Sequence, residues 1–303
     1  MPSPKIIALT GATGFVGRRV VQRLLDKGYH IKALVRPGSH AKTIQSKQIN
    51  WIEGTLCDAQ SEASLCAGAD MVIHMAGLVT TRKKSEYYRI NAEAVGRLVK
   101  AANVAGVKRF VHLSSITARQ PELSDYAGSK RAGEGTFSRK LGKMRGVVMR
   151  APAVFGTGDK ATAPFYTLIR KGILPAPGGR NWRARKISLI HVDELAEYLT
   201  GPCLDGSCDG RTVSIATRAS ITWHEFADEC TQVLGRPVRV LRLPLALLYP
   251  ICAVTSVTKR VAGVGHLTLG KLREFLYDDW SIDTDLQTGI PLQSGLKKTI
   301  LGD

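Results

Sequence analysis

One stretch near the start of the chain limits the possible folds more than any other. Gly11, Gly14 and Gly17 recur at three-residue spacing, directly after the apolar residues 6–9. Glycine permits a tight turn and lets other atoms approach the backbone closely. Apolar side chains then follow at helical spacing, at Val16, Val20, Val21, Leu24 and Leu25. A buried strand, a glycine turn and an amphipathic helix in this order are typical of a parallel α/β sheet.

The same turn predicts a site for a dinucleotide. A helix that begins near Gly14 directs free N–H groups and its positive dipole end toward the turn, where a pyrophosphate can bind. An ordinary strand–helix turn is the alternative interpretation, but the flanking strand and helix provide the context that the motif requires. The predicted cofactor contacts here are Gly11, Thr13, Gly14, Phe15, Val16, Gly17 and Arg18.

Strand-like and helix-length segments alternate through the first half of the chain. We predict strands at residues 5–9, 31–35, 50–53, 71–74, 110–113 and 146–149, and long helices at 88–105 and 126–141. This alternation predicts a Rossmann-type, doubly wound parallel sheet. From Gly156 the pattern loosens into Gly/Pro-rich stretches. We therefore expect a core over residues 1–155, and a smaller C-terminal substrate lobe over 156–303 with some segments returning to the core.

The composition and net charge of the chain limit the kinds of molecule it can bind. The 303 residues are 44% hydrophobic, which is ample for a buried core. The formal net charge of +18 suits nucleic acid, an anionic membrane, phosphorylated ligands or plain solvation. Nucleic-acid-binding motifs do not accompany the charge, so we expect no nucleic-acid partner. Nothing in the sequence specifies an oligomeric state.

Six cysteines show no metal-ligand spacing, and no secretory leader precedes the first strand. We therefore expect no metal and a cytoplasmic protein with reduced thiols. Cys203 and Cys208 could pair in an oxidising compartment, but two free thiols in a surface loop are the preferred interpretation.

A second motif can carry proton transfer. Tyr126 and Lys130 are four residues apart, so they share one face of a helix, and Ser114 and Ser115 end the strand before it. An ammonium beside a phenol lowers the pKa of the phenol toward the working range of an acid–base catalyst. We predict Ser115, Tyr126 and Lys130 as catalytic residues, with Ser114 in support. A surface Tyr–Lys pair is the alternative.

With these motifs in view, the chain resembles the extended short-chain dehydrogenase/reductase family, also called the NAD-dependent epimerase/dehydratase family. It looks most like the branch that contains oxo-sphingolipid and ceramide reductases, hydroxysteroid dehydrogenases and an accessory subunit of respiratory complex I. The likeness includes His74-Met-Ala-Gly77, Asn91, Arg150-Ala-Pro-Ala-Val-Phe-Gly156 and Ile190-His-Val-Asp-Glu194. It implies hydride transfer with a nicotinamide cofactor, and cofactor contacts at Thr55, Leu56, Ala76, Gly77, Asn91, Lys130 and Pro152.

Two departures from the family matter. The segment from Ser115 to Tyr126 is shorter than in many sugar-nucleotide members, which suggests a more open active-site mouth. Gly54-Thr55-Leu56 replaces the usual Gly-Asp-Leu, so a hydroxyl would face the adenine amine.

The second predicted strand indicates the cofactor. Sites that prefer NAD place an acid at the end of this strand, but here Arg36 follows it, and a guanidinium suits a 2′-phosphate. We therefore favour NADP(H) over NAD(H). The alternative is that Arg36 stacks over the adenine.

Three functions remain open. The first is reduction of a ketone on an amphipathic lipid, such as an oxo-sphingoid, an oxo-ceramide or a steroid-like ketone. The second is epimerisation or dehydration of a nucleotide sugar. The third is a non-catalytic accessory subunit that holds NADP(H). The presence of Tyr126 and Lys130 argues against this third function.

An apolar stretch at residues 241–257 has cations at its ends and two prolines within it. The stretch is too short, and too interrupted by the prolines, to span a membrane. We expect this stretch to form a helix that lies on the anionic cytoplasmic face of a membrane. A second element, the basic cluster of Arg180, Arg183, Arg185 and Lys186 around Trp182, would lie on the same membrane face. Both elements would guide an acyl chain toward Tyr126. The alternative is a buried helix of the C-terminal lobe.

Overall fold

The computed structural model describes residues 5–39, 43–262, 268–284 and 289–302, with the backbone alone at 257–262. The described chain divides into two compact units. The first contains Met1–Pro121, Asp125–Arg150 and Leu195–Val213, and the second contains Glu122–Ser124, Ala151–Glu194 and Ser214–Asp303.

The first unit is built on a seven-stranded parallel sheet with the strand order β10-β6-β5-β4-β1-β2-β3. The predicted Rossmann-type fold is therefore confirmed, with observed strand bounds within two residues of the predicted ones. The strands are β1 (Ile6–Thr10), β2 (His30–Val35), β3 (Ile49–Glu53), β4 (Met71–His74), β5 (Arg109–Ser115), β6 (Arg145–Ala151) and β10 (Thr212–Val213).

Helices cover this sheet with their apolar faces. Val20, Val21 and Leu24 of the first helix are fully buried, as its helical spacing predicted. Buried side chains such as Leu98 and Phe110 belong to one hydrophobic core. The helices are α1 (Phe15–Asp26), α2 (Ala59–Cys66), α3 (Lys84–Tyr88), α4 (Ala94–Val104), α5 (Asp125–Lys140), α7 (Val192–Thr200) and α8 (Pro202–Asp205), with a 3₁₀ turn at Ile116–Arg119.

The helix predicted over residues 88–105 differs in form. The helical segment begins at Lys84, and a π-helical turn at Arg89–Glu93 separates α3 from α4. The prediction of one regular helix was therefore wrong. The π turn places Asn91 in the buried interior, and tertiary contacts of that residue are described below.

The second unit has two small sheets. β9 (Lys186–His191) pairs in parallel with β7 (Ala153–Phe155) and antiparallel with β11 (Arg218–Thr222). β8 (Ile173–Pro177) pairs in parallel with β12 (Arg239–Leu243). The helices are α6 (Ala163–Arg170), α9 (Trp223–Leu234), α10 (Leu245–Ala262), α11 (Leu269–Leu276) and α12 (Leu292–Leu301). Among the described helices, none combines the length and the apolar character that crossing a membrane requires.

The six cysteines are free thiols. The preferred interpretation of Cys203 and Cys208 as two free thiols is confirmed, but their placement in a surface loop was wrong, because both side chains are almost fully buried and Cys203 lies in α8. Burial raises the pKa of both thiols, so they stay protonated at neutral pH.

Candidate active site

The glycine turn joins β1 to α1 and depends on the absence of side chains. Gly11 has a φ of +77°, and a Cβ there would lie 2.8 Å from the backbone nitrogen of Ala76. A Cβ on Gly17 would lie 2.0 Å from the Gly11 carbonyl oxygen. Larger residues at either position would therefore push the turn apart. The glycines keep the turn close to the end of β4 and to the first turn of α1.

The start of α1 is a positive end without a side-chain cap. Gly14 is the N-cap, no side chain accepts a hydrogen bond there, and the first turn contains no acidic residue. Arg18 lies exposed on this first turn. Thr13, Phe15 and Val16 are partly exposed around the turn. The uncapped N–H groups and the cation suit an anionic ligand.

The turn is tied to the end of the neighbouring strand β4. The Thr10 hydroxyl lies 2.7 Å from Nδ1 of His74 and accepts the N–H of Ala76 at 3.2 Å. Gly77, the residue after Ala76, is exposed. These contacts hold Ala76 and Gly77 beside the glycine turn. Thr10 and His74 were not predicted as site residues.

The predicted adenosine-side residues follow β2 and β3. Arg36 comes directly after β2 and is exposed, and Thr55 is exposed two residues after β3. Leu56 is partly buried against the core. The N–H of Gly54 donates to the Val35 carbonyl at 2.9 Å, which joins the two strand ends. Because the sheet is parallel, Arg36 and the glycine turn lie at the same carboxyl edge.

The two adjacent serines have different surroundings. Ser114 is buried, and its hydroxyl donates to Glu134 at 2.6 Å. Ser115 is partly exposed at the end of β5 and accepts hydrogen bonds from the Thr117 hydroxyl at 2.9 Å and the Thr117 N–H at 3.3 Å. Since Thr117 occupies the acceptor side of Ser115, the Ser115 proton is left to donate to a ligand oxygen.

Tyr126 and Lys130 lie one turn apart on α5. Tyr126 is partly exposed, with the ring of Tyr87 edge-on at 6.3 Å. Lys130 is buried, and its ammonium donates to the Leu113 carbonyl of β5 at 2.7 Å. That bond joins the tyrosine's helix to the strand that ends in Ser115. Burial lowers the pKa of Lys130 to about 8, although the Glu134 carboxylate acts in the opposite direction.

A buried ionic network, which the sequence reasoning missed, supports this helix. Glu134 accepts two hydrogen bonds from Arg150 of β6, at 2.9 and 2.6 Å, besides the one from Ser114. A paired carboxylate of this kind holds its partners in one geometry. Glu134 lies four residues after Lys130, so the helical spacing Tyr126, Lys130, Glu134 was the available signal.

Asn91, a predicted cofactor contact, is buried in the π turn. Its side chain accepts the N–H of Leu78 at 2.7 Å and donates to the Leu78 carbonyl and the Ser129 hydroxyl, both at 2.9 Å. Gly133 of α5 packs so closely that a Cβ there would lie 2.1 Å from the Asn91 carbonyl oxygen. Asn91 therefore links the loop after β4 to α5.

Two stacked histidines lie in the core near Lys130. The rings of His74 and His112 are 5.5 Å apart and nearly parallel. Burial, with Lys130 nearby, lowers the pKa of His74 to about 3 and that of His112 well below its usual value. Both histidines are therefore neutral at physiological pH, and Lys130 carries the positive charge of this region.

The residues present fit a dinucleotide. The uncapped N–H groups at the start of α1 and the exposed cations Arg18 and Arg36 are what phosphates require. All the predicted contacts lie in the first unit except Pro152, which is buried just after β6 in the second unit.

Comparison with known proteins agrees with this geometry. Residues 7–200 match the NAD dependent epimerase/dehydratase family. A ceramide reductase of Caulobacter vibrioides is 32% identical over 96% of this chain and 90% of its own length. A UDP-glucose 4-epimerase of Vibrio cholerae is 28% identical over 94% of this chain and 93% of its own length.

A solved structure shows the same fold. The dTDP-glucose 4,6-dehydratase DesIV of Streptomyces venezuelae, solved with NAD and TYD bound, superposes with a TM-score of 0.72 at 19% identity. The match covers 98% of this chain and 96% of that one. Because the family match spans well over half of the chain, the protein belongs to the NAD-dependent epimerase/dehydratase family.

Proposed function

We propose that the protein is an NADP(H)-dependent reductase that converts a ketone on an amphipathic lipid to the alcohol. The observation that carries the reaction type is the buried Lys130 ammonium, which is joined to the Ser115 strand and lies one turn from Tyr126. This arrangement provides a proton donor beside a hydrogen-bond donor at the edge of the sheet that holds the glycine turn.

In the proposed reaction, bound NADPH supplies a hydride to the carbonyl carbon. Ser115 donates a hydrogen bond to the carbonyl oxygen, and Tyr126 transfers its proton to that oxygen as the C–O π bond breaks. Lys130 stabilises the phenolate that remains, because an adjacent positive charge favours the ionised form. The hydride and the Tyr126 proton together would convert the ketone to the alcohol, and solvent would return a proton to the Tyr126 phenolate.

The choice of NADP(H) depends on Arg36. A cation follows β2 at the position where a carboxylate would bind the ribose hydroxyls of NAD. A guanidinium there can make charge-assisted hydrogen bonds to a 2′-phosphate. Arg18 adds a second cation on the exposed face of α1.

The substrate class rests on similarity and on loop length. The Caulobacter vibrioides relative is a ceramide reductase and matches nearly the whole chain. The short segment from Ser115 to Tyr126 is consistent with a site open to a long-chain substrate. We therefore favour a 3-oxo-sphingoid or oxo-ceramide over a steroid-like ketone.

The test is an assay of the purified protein with NADPH and a set of candidates: oxo-ceramide, oxo-sphingoid, a steroid ketone, UDP-glucose and dTDP-glucose. We expect net loss of NADPH absorbance with an oxo-lipid and formation of the alcohol. Conversion of a sugar nucleotide without net NADPH loss would favour an epimerase or dehydratase, the second candidate supported by the Vibrio cholerae relative. NADPH binding without any turnover would indicate an accessory subunit.

The pKa of Lys130 predicts how reduction depends on pH. Since burial lowers that pKa to about 8, kcat/KM should fall as the pH rises through about 8, where the ammonium loses its proton. Below that pH, Lys130 is charged and supports proton transfer from Tyr126. A pH profile from 6 to 10 measures this. In the Lys130→Arg variant, which stays protonated, the falling limb should move to higher pH. An unchanged limb would assign the titration to another group.

A further inference from the structure

One part of the second unit combines positive charge with a complete lack of acids. No aspartate or glutamate occurs between residues 230 and 273. The same stretch contains seven cations: Arg236, Arg239, Arg242, Lys259, Arg260, Lys271 and Arg273. Of these, Arg239 and Arg242 are exposed on β12, and Arg236 is exposed three residues before it. Lys259 and Arg260 lie where only the backbone of α10 is described.

Residues 241–275, which overlap this stretch, expose much apolar surface. Six of the eleven large hydrophobic side chains that are exposed in the described residues lie between residues 241 and 275. Leu247, Ile251 and Val254 are 61%, 52% and 62% exposed and, at spacings of four and three residues, form one stripe along α10. The six are Leu241, Leu247, Tyr249, Ile251, Val254 and Phe275.

The opposite side of α10 is buried within the unit. Leu248 and Cys252 pack with Leu272 of α11 in a small hydrophobic cluster. The helix therefore has one face in the protein and one apolar face outward, so it can lie along a surface. The alternative interpretation, a buried helix of the C-terminal lobe, describes only the side of α10 that carries Leu248 and Cys252.

A second element lies beside β12. The guanidinium groups of Arg183 and Arg242 lie over the Trp182 ring, at 5.2 and 6.0 Å from its centroid. Arg185 differs from the expectation for this basic cluster, because it is buried and donates to the Pro177 and Gly178 carbonyls. An aromatic ring with exposed cations around it is typical of segments at the water–lipid interface.

The first two acids that follow this stretch in the sequence, Glu274 and Asp278, have partners. The Glu274 carboxylate is buried and bonded to Lys271, at 2.9 Å, and to Ser124. Asp278 accepts from Asn181 at 3.2 Å and lies 3.9 Å from Arg185. Both carboxylates therefore bond to groups other than the exposed arginines of β12.

We propose that the outward face of α10, with the arginines of β12 and with Trp182 and Arg183 beside them, docks on an anionic lipid surface. The apolar stripe would enter the acyl boundary, and the arginines would contact acidic headgroups. The charge pattern selects this occupant over a second copy of the chain, since two copies would bring the same cations together. The proposal does not depend on which substrate the enzyme reduces.

The test is co-sedimentation of the full chain with vesicles. Phosphatidylglycerol mixed with phosphatidylcholine should bind the protein at about 0.1 M salt and release most of it at about 1 M, because salt screens exposed charges. Pure phosphatidylcholine should bind it far less. Protein that remains in the supernatant with the anionic vesicles at low salt would overturn the proposal.

Single variants distinguish docking from general attraction to a basic protein. Leu247→Asp and Ile251→Asp should each lower the vesicle partition coefficient by about tenfold. Val104→Asp, an identical charge change at a residue 83% exposed on α4 of the first unit, should change it little. Arg239→Gln should lower it by about fivefold.

Two results would contradict the account. If Leu247→Asp binds vesicles as tightly as Val104→Asp, the stripe does not enter the membrane. If light scattering shows a dimer that Leu247→Asp dissociates, and the wild type does not bind vesicles, a second copy covers this face. Unchanged thermal unfolding of each variant would show that the exposed positions tolerate aspartate.

Discussion

Replacing Tyr126 with phenylalanine should lower kcat by about 10²–10⁴-fold, the usual contribution of a general acid. The substitution removes one hydroxyl from a partly exposed side chain, so the fold and the affinity for NADPH should change little. The ring contact with Tyr87 does not involve the hydroxyl and should remain. Stopped-flow or steady-state loss of NADPH absorbance with the oxo-lipid measures kcat.

The matched control is Tyr29→Phe. Tyr29 is also partly exposed, but it lies just before β2, at the opposite edge of the sheet from the glycine turn. This variant should retain wild-type turnover within a factor of about two. If Tyr126→Phe keeps more than about a third of the wild-type turnover, Tyr126 is not the proton donor.

Replacing Arg36 with aspartate should change the preferred cofactor. A carboxylate repels the 2′-phosphate of NADPH but can accept hydrogen bonds from the ribose hydroxyls of NADH. Loss of one charge-assisted bond corresponds to about 10–100-fold in affinity, and repulsion adds to it. We therefore expect the ratio of the NADPH and NADH dissociation constants to change by at least about tenfold, measured by fluorescence titration of both cofactors.

Arg145→Asp makes the same charge change at the opposite edge of the sheet. Arg145 begins β6 and its side chain is 72% exposed, whereas Arg36 follows the carboxyl end of β2. This control separates a local contact from the effect of net charge. Equal shifts in both variants would mean that Arg36 does not contact the 2′-phosphate.

Local sequence patterns were enough for the parallel sheet and for the placement of the site residues on elements. Strand β4 has the bounds that the apolar run predicted, and β5 ends at Ser115, two residues after the predicted end at residue 113. Tyr126 and Lys130 share a helix, as their four-residue spacing predicted, and α5 contains no proline. These features depend on residues close in sequence, so periodicity and spacing describe them well.

The features that were missed depend on distant contacts. The π turn at Asn91 forms where its side chain bonds to Leu78 and Ser129, and no local pattern specifies those partners. The role of Glu134 depends on its hydrogen bonds with Ser114 and Arg150, which are distant in the sequence. Such tertiary contacts override local propensity, so they have to be observed in a folded chain.

The most direct test of the proposed function follows hydrogen rather than absorbance. NADPH with deuterium at both C4 positions of the nicotinamide is incubated with the protein and the oxo-lipid, and the product is analysed by mass spectrometry. The account predicts one deuterium on the former carbonyl carbon of the alcohol, one NADP⁺ for each alcohol, and loss of this product with Tyr126→Phe. An alcohol without deuterium, or a sugar nucleotide epimerised with no net NADP⁺, would contradict it.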